Sequence, residues 1–197
     1  MVSSEDYRES LVKNLITIRD SLKEYHQLFQ SEIEIQRPIH DRLCVLAKRF
    51  CLLDREEPTK HILPSDISPE DEIKAEYFEK FLLIRKSNAK LIQFHMMVAN
   101  NFKELRQFLD EMGPDNLVLL DKANILQLPF SSCIEILDDL IKYHIKLVSN
   151  VHFYTLCMQP ERLQYVERYK KLLKPNVDFN EYFSQSMAKL HVLKKTK

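Results

Sequence analysis

The residues with the most chemistry open to them are seven histidines and four cysteines. His40 and Cys44 stand one helical turn apart, and Cys51 follows two turns later. On a helix this spacing puts an imidazole and two thiols along one flank, a fragment of a zinc site. A structural zinc takes four ligands, usually in paired short spacings. No Cys-x-x-Cys occurs, so the rest would have to come from another helix. A thiol on a helix flank more often packs as a small hydrophobe. The pattern is therefore read as packing, with no metal and no cofactor. A di-iron bundle needs Glu-x-x-His pairs, and none is present. Nucleophilic catalysis needs a Ser or Cys beside a His that a third group orients. No spacing supplies that arrangement, and the chain is expected not to be an enzyme.

His95 and His144 remain, and they point to the elements that must hold them. Apolar side chains at Ile84, Leu91, Val98, Phe102, Leu105, Leu109 and Met112 alternate in steps of four and three with Asn88 and His95. That is the seam of a helix laid along other helices. The segment Cys133, Leu137, Leu140, His144, Leu147, Val151, Tyr154, Met158 keeps the same rhythm. Asn88, His95 and His144 are thus candidate register-setting residues, as a buried asparagine is in a coiled coil. A pH-sensitive contact between the two histidines is the bolder form of the idea. Phe94, Met97 and Phe108 widen the central stripe beyond one seam, as a helix meeting a partner would.

The first helix is expected over about residues 5–53. Its seam runs Leu11, Leu15, Ile18, Leu22, Tyr25, Phe29, then through Glu32 and Gln36 to Ile39, Leu43, Leu46, Phe50 and Leu53. The phase survives Pro38, which favours one helix kinked there over two helices meeting at Gln36-Arg37. Residues 54–68 read as an acidic, proline-containing linker. Ser68-Pro69-Glu70-Asp71 starts a central helix over 69–112, and Gly113-Pro114 ends it. Residues 114–131 read as a loop or short helix. Ser131 or Ser132 is expected to cap a third helix over 132–158, followed by two short helices and a basic tail within 160–197. The last helix is expected to open at Asp178-Phe179-Asn180-Glu181.

Composition agrees with an all-α chain. One glycine in 197 residues cannot furnish the turns and phosphate loops of α/β folds. The fold expected is one domain, an elongated bundle of three long amphipathic helices with two shorter C-terminal ones. The net charge is zero, whereas a general nucleic-acid binder carries a basic surplus. No sequence-specific nucleic-acid binding is expected. From Glu161 onward nine bases face four acids. That tail, with Arg168, Lys170, Lys171, Lys174, Lys194, Lys195 and Lys197, could touch an acidic partner or RNA. No signal-peptide core or membrane-length apolar run is seen, and an intracellular chain with reduced thiols is expected.

Leu28-Phe29-Gln30-Ser31, Pro38-Ile39 and Leu43-x-x-Leu46-Ala47 follow one another, then a proline-containing linker and a long helix. Next comes a serine-led helix with Ser132, Ile134, Leu137, Leu140, Ile141, Tyr143 and His144. This order resembles the AIRIM family of ribosome maturation factors, which associate with a type II AAA ATPase. The family's tryptophans are absent, and its basic cluster is reduced to Lys142 and Lys146. The resemblance implies a non-enzymatic subunit. It would sit on the ATPase hexamer with a second helical adaptor similar to the CDK2-interacting protein. The assembly recycles shuttling factors from cytoplasmic large-subunit precursors and is linked to chromatin. Cytoplasmic and nuclear location, contact with the preribosomal particle and no membrane association are implied. Phe29, Gln30 and Pro38 become candidate partner contacts. The alternative is a structural coiled-coil subunit of another hetero-oligomer: the second adaptor itself, or a kinetochore or tethering subunit.

Overall fold

The computed structural model describes residues 4–53, 68–123 and 128–193. Among them are six α-helices and no strand: α1 (Ser4–Leu53), α2 (Pro69–Met112), α3 (Pro114–Ala123), α4 (Phe130–Cys157), α5 (Leu163–Leu172) and α6 (Val177–Leu190). The protein is all-α. α1 is one helix with Pro38 inside it. Pro38 is exposed, so its ring and missing N–H interrupt the solvent side of the helix rather than its packed face. The stretch 54–67, which holds most of the expected linker, lies outside the described residues, as do Lys194, Lys195 and Lys197 of the basic tail.

Helix ends show which signals act locally. Ser68 caps α2: its hydroxyl accepts the Asp71 N–H at 3.2 Å and donates to the Asp71 carboxylate at 3.0 Å. Gly113 ends α2 with φ +78°, its N–H donating to the Leu109 carbonyl at 3.0 Å. A left-handed residue at this position is the usual glycine C-cap. Residues 114–123 form the short helix α3.

Two expected caps are displaced. α4 begins at Phe130, so Ser131 and Ser132 lie within its first turn rather than before it. Pro129 supplies the first carbonyl, to Cys133 N–H at 3.1 Å, and the free N–H of Phe130 donates to the Asp121 carboxylate of α3 at 2.6 Å. A carboxylate from a neighbouring helix replaces the local serine and suits the helix dipole. In α6 the cap is Asn176, whose side chain accepts the Phe179 N–H at 3.1 Å, two residues before Asp178.

The contacts of the chain divide it into two compact units. The first comprises Met1–Leu28, Gln93–Lys146 and Asn176–Lys197. There α1 and α2 run antiparallel, Tyr7 meeting Phe108 and Tyr25 meeting Phe94. The core of this unit holds Leu11, Leu15, Ile18, Leu22, Val98, Leu105, Leu137 and Leu140, all at most 1% exposed. Arg19 donates to the carbonyls of Leu190 and Leu193 at 3.2 and 3.0 Å, closing the end of α6.

The second unit comprises Phe29–Ile92 and Leu147–Pro175. α1 and α2 are again antiparallel, with Arg42 paired to Glu76 and Gln36 bonded to Asn88. Leu43, Leu46, Tyr77, Ile84, Leu91, Val151, Val166 and Tyr169 fill this core. Each such side chain contributes about 1.5–3 kcal/mol relative to exposure. Arg37 donates to the Leu173 carbonyl at 2.9 Å and closes the end of α5.

Candidate functional site

The second unit holds a closed polar network inside its apolar core. Its members come from α1 (Glu32, Gln36), α2 (Ser87, Asn88), α4 (Thr155) and α5 (Tyr169), all buried. Gln36 Nε2 donates to Ser87 Oγ and to Asn88 Oδ1, both at 2.7 Å. Asn88 Nδ2 donates to Thr155 Oγ1 at 2.7 Å and to the Tyr169 hydroxyl at 2.8 Å. Tyr169 closes the ring by donating to Gln36 Oε1 at 2.6 Å. Thr155 passes its own proton to the Val151 carbonyl at 2.7 Å. Ser87 donates to Glu32 Oε2 at 2.5 Å, and Lys90 reaches Glu32 Oε1 at 2.9 Å. Every proton and amide oxygen of Gln36 and Asn88 is used. Burial alone would raise the Glu32 pKa, but the Ser87 hydroxyl and the Lys90 ammonium outweigh it and hold the carboxylate below its ordinary value.

A satisfied network of this kind makes one alignment of helices far better than its neighbours. The aliphatic positions Ile84, Leu91, Val98 and Leu105 repeat every seven residues. A slip of one heptad would therefore still bury aliphatics. It would also bring His95 to the place of Asn88 and orphan Gln36 and Tyr169. A register role for Asn88 would be exercised in concert with Glu32, Gln36, Ser87, Thr155 and Tyr169.

The first unit holds an aromatic and histidine cluster. His144 is fully buried, and its Nδ1 lies 2.8 Å from the Leu140 carbonyl. A carbonyl only accepts, so Nδ1 carries the proton and Nε2 of the neutral ring is an acceptor. That acceptor lies 3.3 Å from His26 Nδ1, which must therefore be the donor. The hydrogen-bonded pair is His26–His144, and not His95–His144. Burial pulls His26 and His144 down to about 4. His95 flanks the same site, its ring 5.5 Å from Tyr25, and burial lowers its pKa too. Its Nδ1 has no hydrogen-bond partner among the described residues.

The other candidates divide. Phe94 stacks on Tyr25 at 5.9 Å, and Phe108 meets Tyr7 edge-on at 6.2 Å. Both are engaged within the chain, because α1 brings a tyrosine to each. Met97 is 43% exposed, and Gln30 and Pro38 also face solvent, while Phe29 is buried. His40 Nε2 donates to the Val166 carbonyl at 2.6 Å, and its Nδ1 lies 3.7 Å from the Cys44 thiol. Cys51 instead touches the Pro160 carbonyl at 3.6 Å. Burial pushes the Cys44 thiol up, away from the thiolate form. All four cysteines are free, and among the described residues no three His, Cys, Asp or Glu converge as metal ligands. No helix among them is long and apolar enough to cross a membrane. Compared with protein-family models, curated proteins and solved structures, the chain finds no match in any of the three.

Proposed function

We propose that this chain is a non-enzymatic helical adaptor. It works as a subunit of a AAA ATPase complex in cytoplasmic maturation of the large ribosomal subunit precursor. A second helical adaptor accompanies it on the hexamer, which recycles shuttling factors, and the chain is found in cytoplasm and nucleus. The observation that carries an adaptor role is the set of large apolar side chains left outside both cores. Phe78 is 50% exposed, Leu82 58%, Met96 59%, Phe153 53% and Leu156 62%. Side chains of this kind anchor interfaces. The polar groups of the second unit's network are spent on each other and on backbone rather than aimed into a cleft, which favours recruitment over chemistry. The particular complex rests on the likeness of Leu28-Phe29-Gln30-Ser31, Pro38-Ile39 and Leu43-x-x-Leu46-Ala47 to the AIRIM pattern.

Affinity purification of the tagged chain from its own cells, followed by mass spectrometry, tests this directly. Recovery of a AAA ATPase with a second helical adaptor and ribosomal factors is expected. Recovery of kinetochore or tethering subunits with no ATPase overturns it in favour of a structural coiled-coil role.

A further inference from the structure

A cleft of about 120 Å³ opens on the flank of the second unit, between α1 and the end of α5. Arg37 and Asp41 line it from α1, and Lys170, Leu173, Lys174 and Pro175 from α5 and the turn that follows. His40 also reaches the wall, but its Nε2 is spent on the Val166 carbonyl at 2.6 Å. Burial lowers its pKa, so it brings no charge.

Three cations and one acid line the cleft, a net charge of +2. Glu34, which pairs with Arg37 at 2.5 Å and is not part of the lining, reduces it to +1. A helix end gathers cations, but the C-terminus of α5 amounts to only about half a negative charge. Arg37 Nε already takes the Leu173 carbonyl at that end, at 2.9 Å. A positive surplus is left over. Lys170 is held by Asp41 at 2.8 Å. Lys174 has no ion pair or side-chain hydrogen bond among the described residues, and of the Arg37 guanidinium only Nε and Nη1 are engaged there. We propose that this cleft binds an acidic segment of a partner protein: one aliphatic side chain packs against Leu173 and Pro175, and carboxylates on either side of it meet Lys174 and the free edge of Arg37. The site is separate from the exposed apolar side chains that carry the adaptor role, and it holds whichever complex the chain serves.

Size and lining select this ligand. A cavity of roughly 150 Å³ takes up a benzene ring, so 120 Å³ suits one leucine side chain. A nucleotide base needs an aromatic platform to stack on, and no Phe or Tyr is among the lining residues.

The test is a titration of the isotope-labelled full-length chain with the peptide Glu-Asp-Leu-Asp-Glu, blocked at both ends and followed by amide NMR at neutral pH. Shifts should centre on Asp41, Lys170 and Lys174 and saturate with a Kd of about 1 mM or tighter. Alanine in place of the peptide's leucine should weaken binding about tenfold. Lys174→Glu exchanges an attraction for a repulsion and should also weaken it about tenfold. Asp41→Asn removes the one acid of the lining and frees Lys170. It should tighten binding about threefold, the opposite of what a damaged surface would do. Both side chains are exposed, and each variant decides independently. No saturation below about 10 mM, equal binding of the alanine peptide, or an affinity unmoved by either variant overturns the proposal. A uridine hexanucleotide that produces the same shifts at equal or higher affinity overturns it in favour of a nucleic-acid site.

Discussion

Replacing Asn88 by leucine is the sharpest test of the register key. The side chains are similar in volume, so little cavity is created, and the cost is polar. Asn88 makes three bonds, one accepted from Gln36 and two donated to Thr155 and Tyr169. Each contributes about 1 kcal/mol net, and the partners have no water to turn to. A loss of about 3 kcal/mol is expected for Asn88→Leu. Tyr169→Phe removes the hydroxyl that donates to Gln36 and accepts from Asn88, for about 2 kcal/mol. The two variants share one bond. The double variant should therefore fall about 1 kcal/mol short of additivity. Urea unfolding of the four proteins, followed by circular dichroism at neutral pH, yields the cycle from midpoints at constant slope. Asn88→Leu at or above wild-type stability would show that aliphatic packing matches the polar ring. Strict additivity would break the Asn88–Tyr169 link. Either result refutes the reasoning.

Gly113→Ala keeps open space around the added Cβ but leaves φ at +78°. It should cost about 1–2 kcal/mol by thermal unfolding, and a neutral effect would mean that α2 ends differently. Asp121→Ala frees the first amide of α4 and should cost about 1 kcal/mol, with faster exchange confined to that helix's first turn. Glu32 is ionised in the fold below its ordinary pKa, so its contribution is complete above the unfolded value of 4.5 and fades as pH drops through the lower folded value. Glu32→Gln should therefore lie below wild type in stability at neutral pH and converge with it in strong acid. A difference that grows on acidification would reverse the assigned sign.

The packing of the long helices was legible because steps of three and four map onto one face. Leu11 to Phe50 on α1, Ile84 to Met112 on α2 and Cys133 to Met158 on α4 are the core stripes, with a few half-buried members such as Ile39, Leu109 and Leu147. Glu32 and Gln36 sat on that stripe as a polar interruption. Their meaning was recoverable from Asn88, since a polar seam residue needs polar partners on the facing helix. Thr155 lies one step off the α4 rhythm, and Tyr169 belongs to a ten-residue helix whose placement no local pattern dictates. His26 neighbours Tyr25 off the seam and packs against His144 of α4 and Phe179 and Phe183 of α6, contacts that no spacing within α1 reveals. The caps divide likewise: Ser68 and Gly113 act within their own helices and were visible, whereas Asp121 acts on α4 from nine residues away and was not.

Two arginines of α1, Arg19 and Arg37, set an order of events. α5 and α6 end in right-handed residues, Leu173 and His191, so neither has a glycine to stop it. Their terminal carbonyls are taken up by Arg37 and Arg19, 136 and 171–174 residues earlier. Helices of ten and fourteen residues are marginal alone in water. Their completion thus waits on contacts of very long sequence separation, the slow kind in folding. A ribosome emits α1 first, so the finishing groups for the last two helices are already made when those helices emerge. A fragment that begins after α1 would lack both. The C-terminal third of this chain is thereby a segment whose structure is held in escrow by its N-terminus.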